Sequence, residues 1–170
     1  NPSIAQASDG KIWVVWRSDR TGNNDIFYKV YDPSKVHPWS SETSLTTNTN
    51  DDTSPAIMQA QDGKLWVVWS TNRTGNYEIY YKTSSDNGAT WSTDQNLIAN
   101  PKDDECPSIM QAANGTIWLA WSANRTGNYE IYYKTSSDNG ATWSPDMSLP
   151  YAAADDRDPS ITQTADGKIW

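Results

Sequence analysis

The chain has 170 residues, a formal net charge of −8 and a pI of about 4.4. That charge repels phosphate backbones and anionic bilayers, which argues against nucleic acid as a partner, and no apolar run reaches the ~20 residues of a membrane-spanning helix. Ten Trp and nine Tyr against one Phe supply aromatics with polar handles, suited to strands, sheet interfaces and sugar-binding surfaces. Cys106 is the only cysteine, so packing and not a disulfide must hold the fold.

In chain order, the same segment returns four times. PSIAQASDGKIW starts at Pro2, PAIMQAQDGKLW at Pro55, PSIMQAANGTIW at Pro107 and PSITQTADGKIW at Pro159, a repeat of about 52 residues. Each copy predicts four strands. The first is a short run such as 108–112. A Gly-containing hairpin turn follows at Asp9-Gly10, Asp62-Gly63, Asn114-Gly115 or Asp166-Gly167, pairs that favour positive φ. The second strand is the run IWVVW, LWVVW or IWLAW, whose lack of alternation predicts burial on both faces. The third is DIFYKV or EIYYKT, and the fourth, more polar, begins at Trp39, Trp91 or Trp143. No segment has helical periodicity. Four antiparallel strands per repeat with apolar inner strands predict an all-β chain of β-propeller blades. Blade 1 spans 1–54, blade 2 spans 55–106, blade 3 spans 107–158, and 159–170 begins a fourth.

Two turns carry a specific pattern. Ser84-Ser85-Asp86-Asn87-Gly88-Ala89-Thr90-Trp91 and 136–143, with Ser136, Asp138, Gly140 and Trp143, both read Ser-x-Asp-x-Gly-x-Thr-Trp. The aspartate is expected to accept N–H groups of its own turn, the glycine to adopt positive φ, and the tryptophan to pack between blades. The chain therefore resembles the Asp-box (BNR) repeat propellers of the sialidase-like superfamily. The resemblance implies that these eight residues are structural and lie away from the active site. In blade 1 only Trp39 survives of the box, in a loop one residue longer that holds His37, the single histidine.

The opposite loops are the expected ligand face. Arg20, Arg73 and Arg125 could grip carboxylates or hydroxyls there, or pair with acidic inter-blade loops next door and fix blade spacing; identical residues in every copy favour the structural role. Asn76, Tyr77, Asn128 and Tyr129 complete the candidate ligand-binding set. The acidic pairs Asp51-Asp52, Asp103-Asp104 and Asp155-Asp156 are weak calcium candidates; no other cofactor is expected.

No residue is assigned a catalytic role. The family's sialidases carry an Arg-Ile-Pro segment, which is absent here, and only Arg17 and Arg157 are arginines unique to their repeats. Cys106 takes the place of Ser54 and Asp158 in other copies and reads as a plain substitution. The expectation is an extracellular or cell-surface binding or scaffold propeller for glycans or extracellular protein. The alternatives are part of a sialidase-like hydrolase with its catalytic residues in other blades, and a protein-interaction propeller. Three blades and a fragment are too few to close a ring, so further blades are expected in cis or from other chains. Asn72-Arg73-Thr74, Asn114-Gly115-Thr116 and Asn124-Arg125-Thr126 fit the N-glycosylation pattern.

Overall fold

The computed structural model describes residues 1–150 and 154–170. It contains three antiparallel four-stranded sheets, each a blade with its strands in sequence order. Blade 1 comprises β1 (Ser3–Gln6), β2 (Ile12–Ser18), β3 (Asp25–Tyr31) and β4 (Thr43–Ser44). Blade 2 comprises β5 (Asp52–Gln59), β6 (Leu65–Thr71), β7 (Glu78–Ser84) and β8 (Gln95–Ile98). Blade 3 comprises β9 (Asp104–Gln111), β10 (Ile117–Ala123), β11 (Glu130–Ser136) and β12 (Met147–Ser148). A bridge between Gln163 and Ile169 forms the start of the fourth.

Blade 2 lies between the other two, and its second strand shows what a sandwiched strand looks like: all seven residues of β6 are buried. In β2, on blade 1, burial instead alternates, with Trp13 and Val15 covered. Two cores result. One joins Trp13, Val15 and Ile26 to Ile57, Val67 and Trp69. The other joins Trp66, Val68 and Ile79 to Ile109, Leu119 and Trp121.

The outer strands differ from expectation. They begin at Thr43, Gln95 and Met147, not at the tryptophans. Trp91 and Trp143 precede the strand and are drawn inward instead. The Trp91 ring meets Trp13 of blade 1 edge-on at 6.0 Å, and Trp143 meets Trp66 of blade 2 at 6.3 Å. Each box thus seats its ring on the preceding blade, as expected. Trp39 makes a bridge and an edge contact with Tyr31 of its own blade.

The box turn closes as its residue types require. Asp86 accepts the Thr90 N–H at 2.9 Å, the Thr90 hydroxyl at 2.5 Å and the Ser84 hydroxyl at 2.7 Å. Asp138 repeats the set with Thr142 and Ser136. The turns are exposed, so these carboxylates order a surface turn and do not satisfy a buried one.

The innermost strands also start earlier than predicted. β5 and β9 open at Asp52 and Asp104, ahead of the repeat prolines, and both aspartates are fully buried. Each strand then carries a bulge, between Thr53 and Ala56 in β5 and opposite Ala120–Ser122 in β9. The bulge residues Ser54 and Cys106, and Asp158 in the fourth copy, have φ of 50°, 56° and 56°. The bulge turns these side chains toward the axis around which the innermost strands gather.

Candidate functional site at the axial end of the loop face

The β6–β7 loop is tied to the chain that follows its blade. Asn76 Nδ2 donates to the carbonyls of Asn100 at 3.0 Å and Lys102 at 2.9 Å, and the Tyr77 N–H donates to Asp103 at 2.9 Å. Asn23 and Asp51 form the same clasp in blade 1, with Asp51 accepting from Asn24 at 3.0 Å. In blade 3, Asn128 donates to the Ala154 carbonyl and Asp155 accepts the Tyr129 N–H. The clasp reaches the next blade where the Asp51 N–H donates to Asn72 Oδ1 at 3.0 Å. Asp51, Asp103 and their asparagine partners therefore fix blade spacing, the role expected of the arginines.

The arginines act within their own blades. Arg73 pairs with Asp52 at 3.2 Å and with Asp94 at 2.6 Å, and Lys82 joins Asp94 at 3.1 Å. Arg125 pairs with Asp104 at 3.0 Å and with Asp146 at 2.8 Å. Both lie 4.4 Å over a tyrosine ring, Tyr80 and Tyr132. Arg20 pairs with Glu42 over Phe27. Asp52 and Asp104 belong to the acidic inter-blade stretches expected to pair with the arginines, but Asp52 stands opposite Thr71, two residues before Arg73, so the pair closes within one sheet. Asp104 also accepts from Trp121 Nε1 at 2.7 Å, yet burial outweighs these partners and pushes its carboxyl up to about 6.

The calcium candidates are thus engaged with protein donors: Asp52 and Asp104 with guanidinium groups, Asp51, Asp103 and Asp155 with N–H groups. Among the described residues, no group of three or more His, Cys, Asp or Glu could hold a metal ion. Asp156 gives its N–H to the Tyr129 carbonyl.

What remains at the axial end is the set of positions where the copies differ. Thr53, Glu105 and Arg157 are one such position. Asn1, Ser54, Cys106 and Asp158 are the next, and Asn24, Tyr77 and Tyr129 a third. A recess of about 290 Å³ is lined by Ser54, Pro55, Cys106, Pro107, Asp158 and Pro159 with their blade 1 counterparts. Cys106 Sγ lies 3.6 Å from Ser54 Oγ. Burial, then Asp158, pushes the thiol up to about 11, which disfavours the nucleophilic thiolate. Beside the recess, the Arg157 guanidinium lies 3.3 Å from the centre of the Tyr129 ring and 3.6 Å from the Glu105 carboxylate. Burial, then the Asp103 charge, raises the Glu105 carboxyl above its usual value. Burial, then Asp51, Glu105 and Asp103, raises the Tyr77 phenol, opposed by Arg17.

Tyr77, Tyr129 and the two unique arginines were singled out from the sequence; Glu105 was not. Its signal was available as a repeat position holding Thr, Glu and Arg directly after an Asp-Asp pair that every copy keeps. Tyr77-Glu78 and Tyr129-Glu130 separate as strand pleating requires: Glu78 and Glu130 are buried against asparagine amides, at 2.8 Å from Asn96 and 2.6 Å from Asn128.

The profile of the BNR repeat-like domain matches residues 10–169, and the chain belongs to this family. No curated protein matches it. Among solved structures, a Dyadobacter fermentans protein of unknown function superposes over 99% of this chain and 59% of its own, with TM-score 0.77 and 14% identity. The α-L-arabinanase of Penicillium chrysogenum, solved with arabinobiose, gives TM-score 0.74 and 17% identity over 99% of this chain and 56% of its own. A Hadza microbial sialidase gives TM-score 0.68 and 16% identity over 84% and 36%. These likenesses show the propeller fold, and the chain spans between 36% and 59% of those three relatives.

Proposed function

We propose that this chain is part of a glycan-binding propeller that works outside the cell or at its surface and holds its ligand at the axial end of the loop face. The observation that supports this most is the division of labour between constant and varying residues. Loop residues repeated in every blade are held by other protein groups, whereas Ser54, Cys106 and Asp158, which differ, line the axial recess, with Arg157 adjoining Asp158. An asymmetric ligand needs unlike groups on its different sides. Tyr77 supplies a ring on which a sugar face can stack, and Glu105, Asp158 and Arg157 supply hydrogen-bonding groups for hydroxyls. The arabinobiose complex of the Penicillium arabinanase is a saccharide held by a relative of the same fold.

A glycan array probed with the purified chain tests the reading, followed by calorimetry of any hit with Tyr77→Ala, with and without calcium. Binding that Tyr77→Ala weakens without lowering Tm supports it. A silent array favours the protein-binding alternative.

One observation favours a second, catalytic reading. Glu105, raised above its usual range, sits with the Tyr129 phenol and near Asp158, and carboxyl groups in unlike environments are the raw material of glycosidases. Turnover of aryl glycosides that is lost in Glu105→Gln would establish it.

A further inference from the structure

We infer that Asn114 is the acceptor of an N-linked oligosaccharide, and that the fold selects it over Asn72 and Asn124; this rests on the placement outside the cell proposed above.

Geometry carries the first part. Asn114-Gly115-Thr116 forms the tip of the hairpin between β9 and β10, and Asn114 is exposed. Glutamines pin the base of that hairpin. Gln61 Nε2 donates to the Ala112 carbonyl at 3.0 Å, Gln111 Nε2 donates to the Gly115 carbonyl at 2.6 Å, and Gln163 Oε1 accepts the Ala113 N–H at 2.7 Å. The tip is therefore displayed on a rigid support. Asn114 Oδ1 accepts the Thr116 N–H at 3.0 Å, which fixes the side chain. Among the described residues, neither Asn114 Nδ2 nor the Thr116 hydroxyl makes a hydrogen bond. A sugar on Nδ2 leaves the turn intact, because a substituted amide keeps its carbonyl acceptor.

The other two sites are committed. Asn72 Oδ1 accepts the Asp51 N–H at 3.0 Å, and the N–H groups of Asn72 and Asn124 donate to the carbonyls of Asp51 and Asp103. Both asparagines are half-buried, in loops at the proposed ligand end. Asn114 lies at the other end, where Gln111 Nε2 reaches Asn139 of the box turn at 3.3 Å. A chain of sugars there leaves Tyr77 and Glu105 uncovered.

The repeat supplies an independent observation. At the positions of Asn114 and Thr116 the other copies carry Asp and Lys, paired at 2.6 Å in Asp9–Lys11, 3.8 Å in Asp62–Lys64 and 2.9 Å in Asp166–Lys168. Blade 3 has replaced both members. Either replacement alone breaks the pair and makes no acceptor: Asn-Gly-Lys lacks the hydroxyl, and Asp-Gly-Thr lacks the amide. Exposed pairs of this kind contribute little to stability, so the fold alone has no need of the double change. In the transfer, Asn114 Nδ2 bonds to the anomeric carbon of a lipid-pyrophosphate-linked oligosaccharide. The anomeric C–O bond breaks, the lipid pyrophosphate leaves with the electron pair, and the amide gives up one proton.

Glycopeptide mapping of the protein recovered from its own cells and culture medium is the test, with fragmentation that reads the sugar itself and not a deamidated asparagine. The expected result is protein outside the cell with a saccharide on Asn114 and none on Asn72 or Asn124. A saccharide on either of those overturns the selection. Extracellular protein with a bare Asn114 overturns the assignment and leaves the placement outside the cell standing. Bare protein confined to the cytoplasm overturns both. Thr116→Lys installs the residue of blades 1 and 2 and leaves Asn114 in place, so folding is expected to be kept and the saccharide lost. Thr116→Ser should keep it in part. A saccharide that persists on Asn114 in Thr116→Lys contradicts the proposal.

Discussion

Gly88 lies directly against the Trp13 ring: a Cβ at position 88 would come within 2.0 Å of Trp13 Cη2. Gly140 stands in the same relation to Trp66, at 2.3 Å. The box glycine thus has two duties, a φ of 81° and close passage over the preceding blade's tryptophan.

Gly63 separates these duties. Its φ is 85°, and nothing lies within 4 Å of where a Cβ would be. Gly63→Ala is expected to cost about 1–2 kcal/mol for the left-handed backbone alone. Gly88→Ala adds overpacking of a buried ring, a further 1–3 kcal/mol or so. Chemical denaturation of the two variants checks the order; equal losses would contradict the Trp13 contact.

The box aspartates predict an acid-side loss of stability. Threonine, through hydroxyl and then N–H, and serine hold Asp86 and Asp138 at about 2, below the ordinary 3.8. A lowered folded value means that the contribution is present above the unfolded value and is lost as pH falls through the folded one. Asp86→Ala/Asp138→Ala should therefore have a lower Tm at neutral pH, and its Tm should fall less than that of wild type between about pH 4 and pH 2. Asp32→Ala should matter less, because Asp32 holds the N–H and hydroxyl of Ser34 and an exposed Lys35 at 3.8 Å but closes no turn of the box kind.

Arg125 and Asp104 predict a penalty that depends on pH in the opposite sense. Asp104 is already raised to about 6 by burial, so its proton-bound form is favoured in the folded chain. Stability associated with it rises as pH falls from that value toward 3.8. Arg125→Ala removes a charge that lowers this carboxyl and leaves it buried without its cation. The loss should be about 3–5 kcal/mol at alkaline pH and smaller near pH 5, where Asp104 takes a proton. Asp104→Asn in the same background should recover part of it. A loss independent of pH would contradict the burial of Asp104.

Much of this fold was legible because the repeat displays each decision several times. The Asp-Gly hairpins, the buried second strand and the inter-blade Trp91 follow from local residue types. Two things were not legible. Asp52 and Asp104 were expected in inter-blade loops as partners of the arginines, because a doubled acid looks like surface; only the sheet reveals that they open strands and are fully buried. The start of the outer strand was misplaced because Trp91 has a strand-former's side chain, yet its ring is claimed by the neighbouring blade. The axial site was half legible. Tyr77 and Arg157 stand out, but Glu105 and Cys106 gain meaning only when the bulges gather Ser54, Cys106 and Asp158 at one axis.

The axial location of the ligand is the central claim, and NMR mapping of a saccharide identified on the array tests it most directly. The prediction is that backbone shifts on titration concentrate at Tyr77, Glu105 and 157–158, with little change at the box turns. Shifts confined to the opposite end, around Lys35, His37 and Trp39, would contradict it.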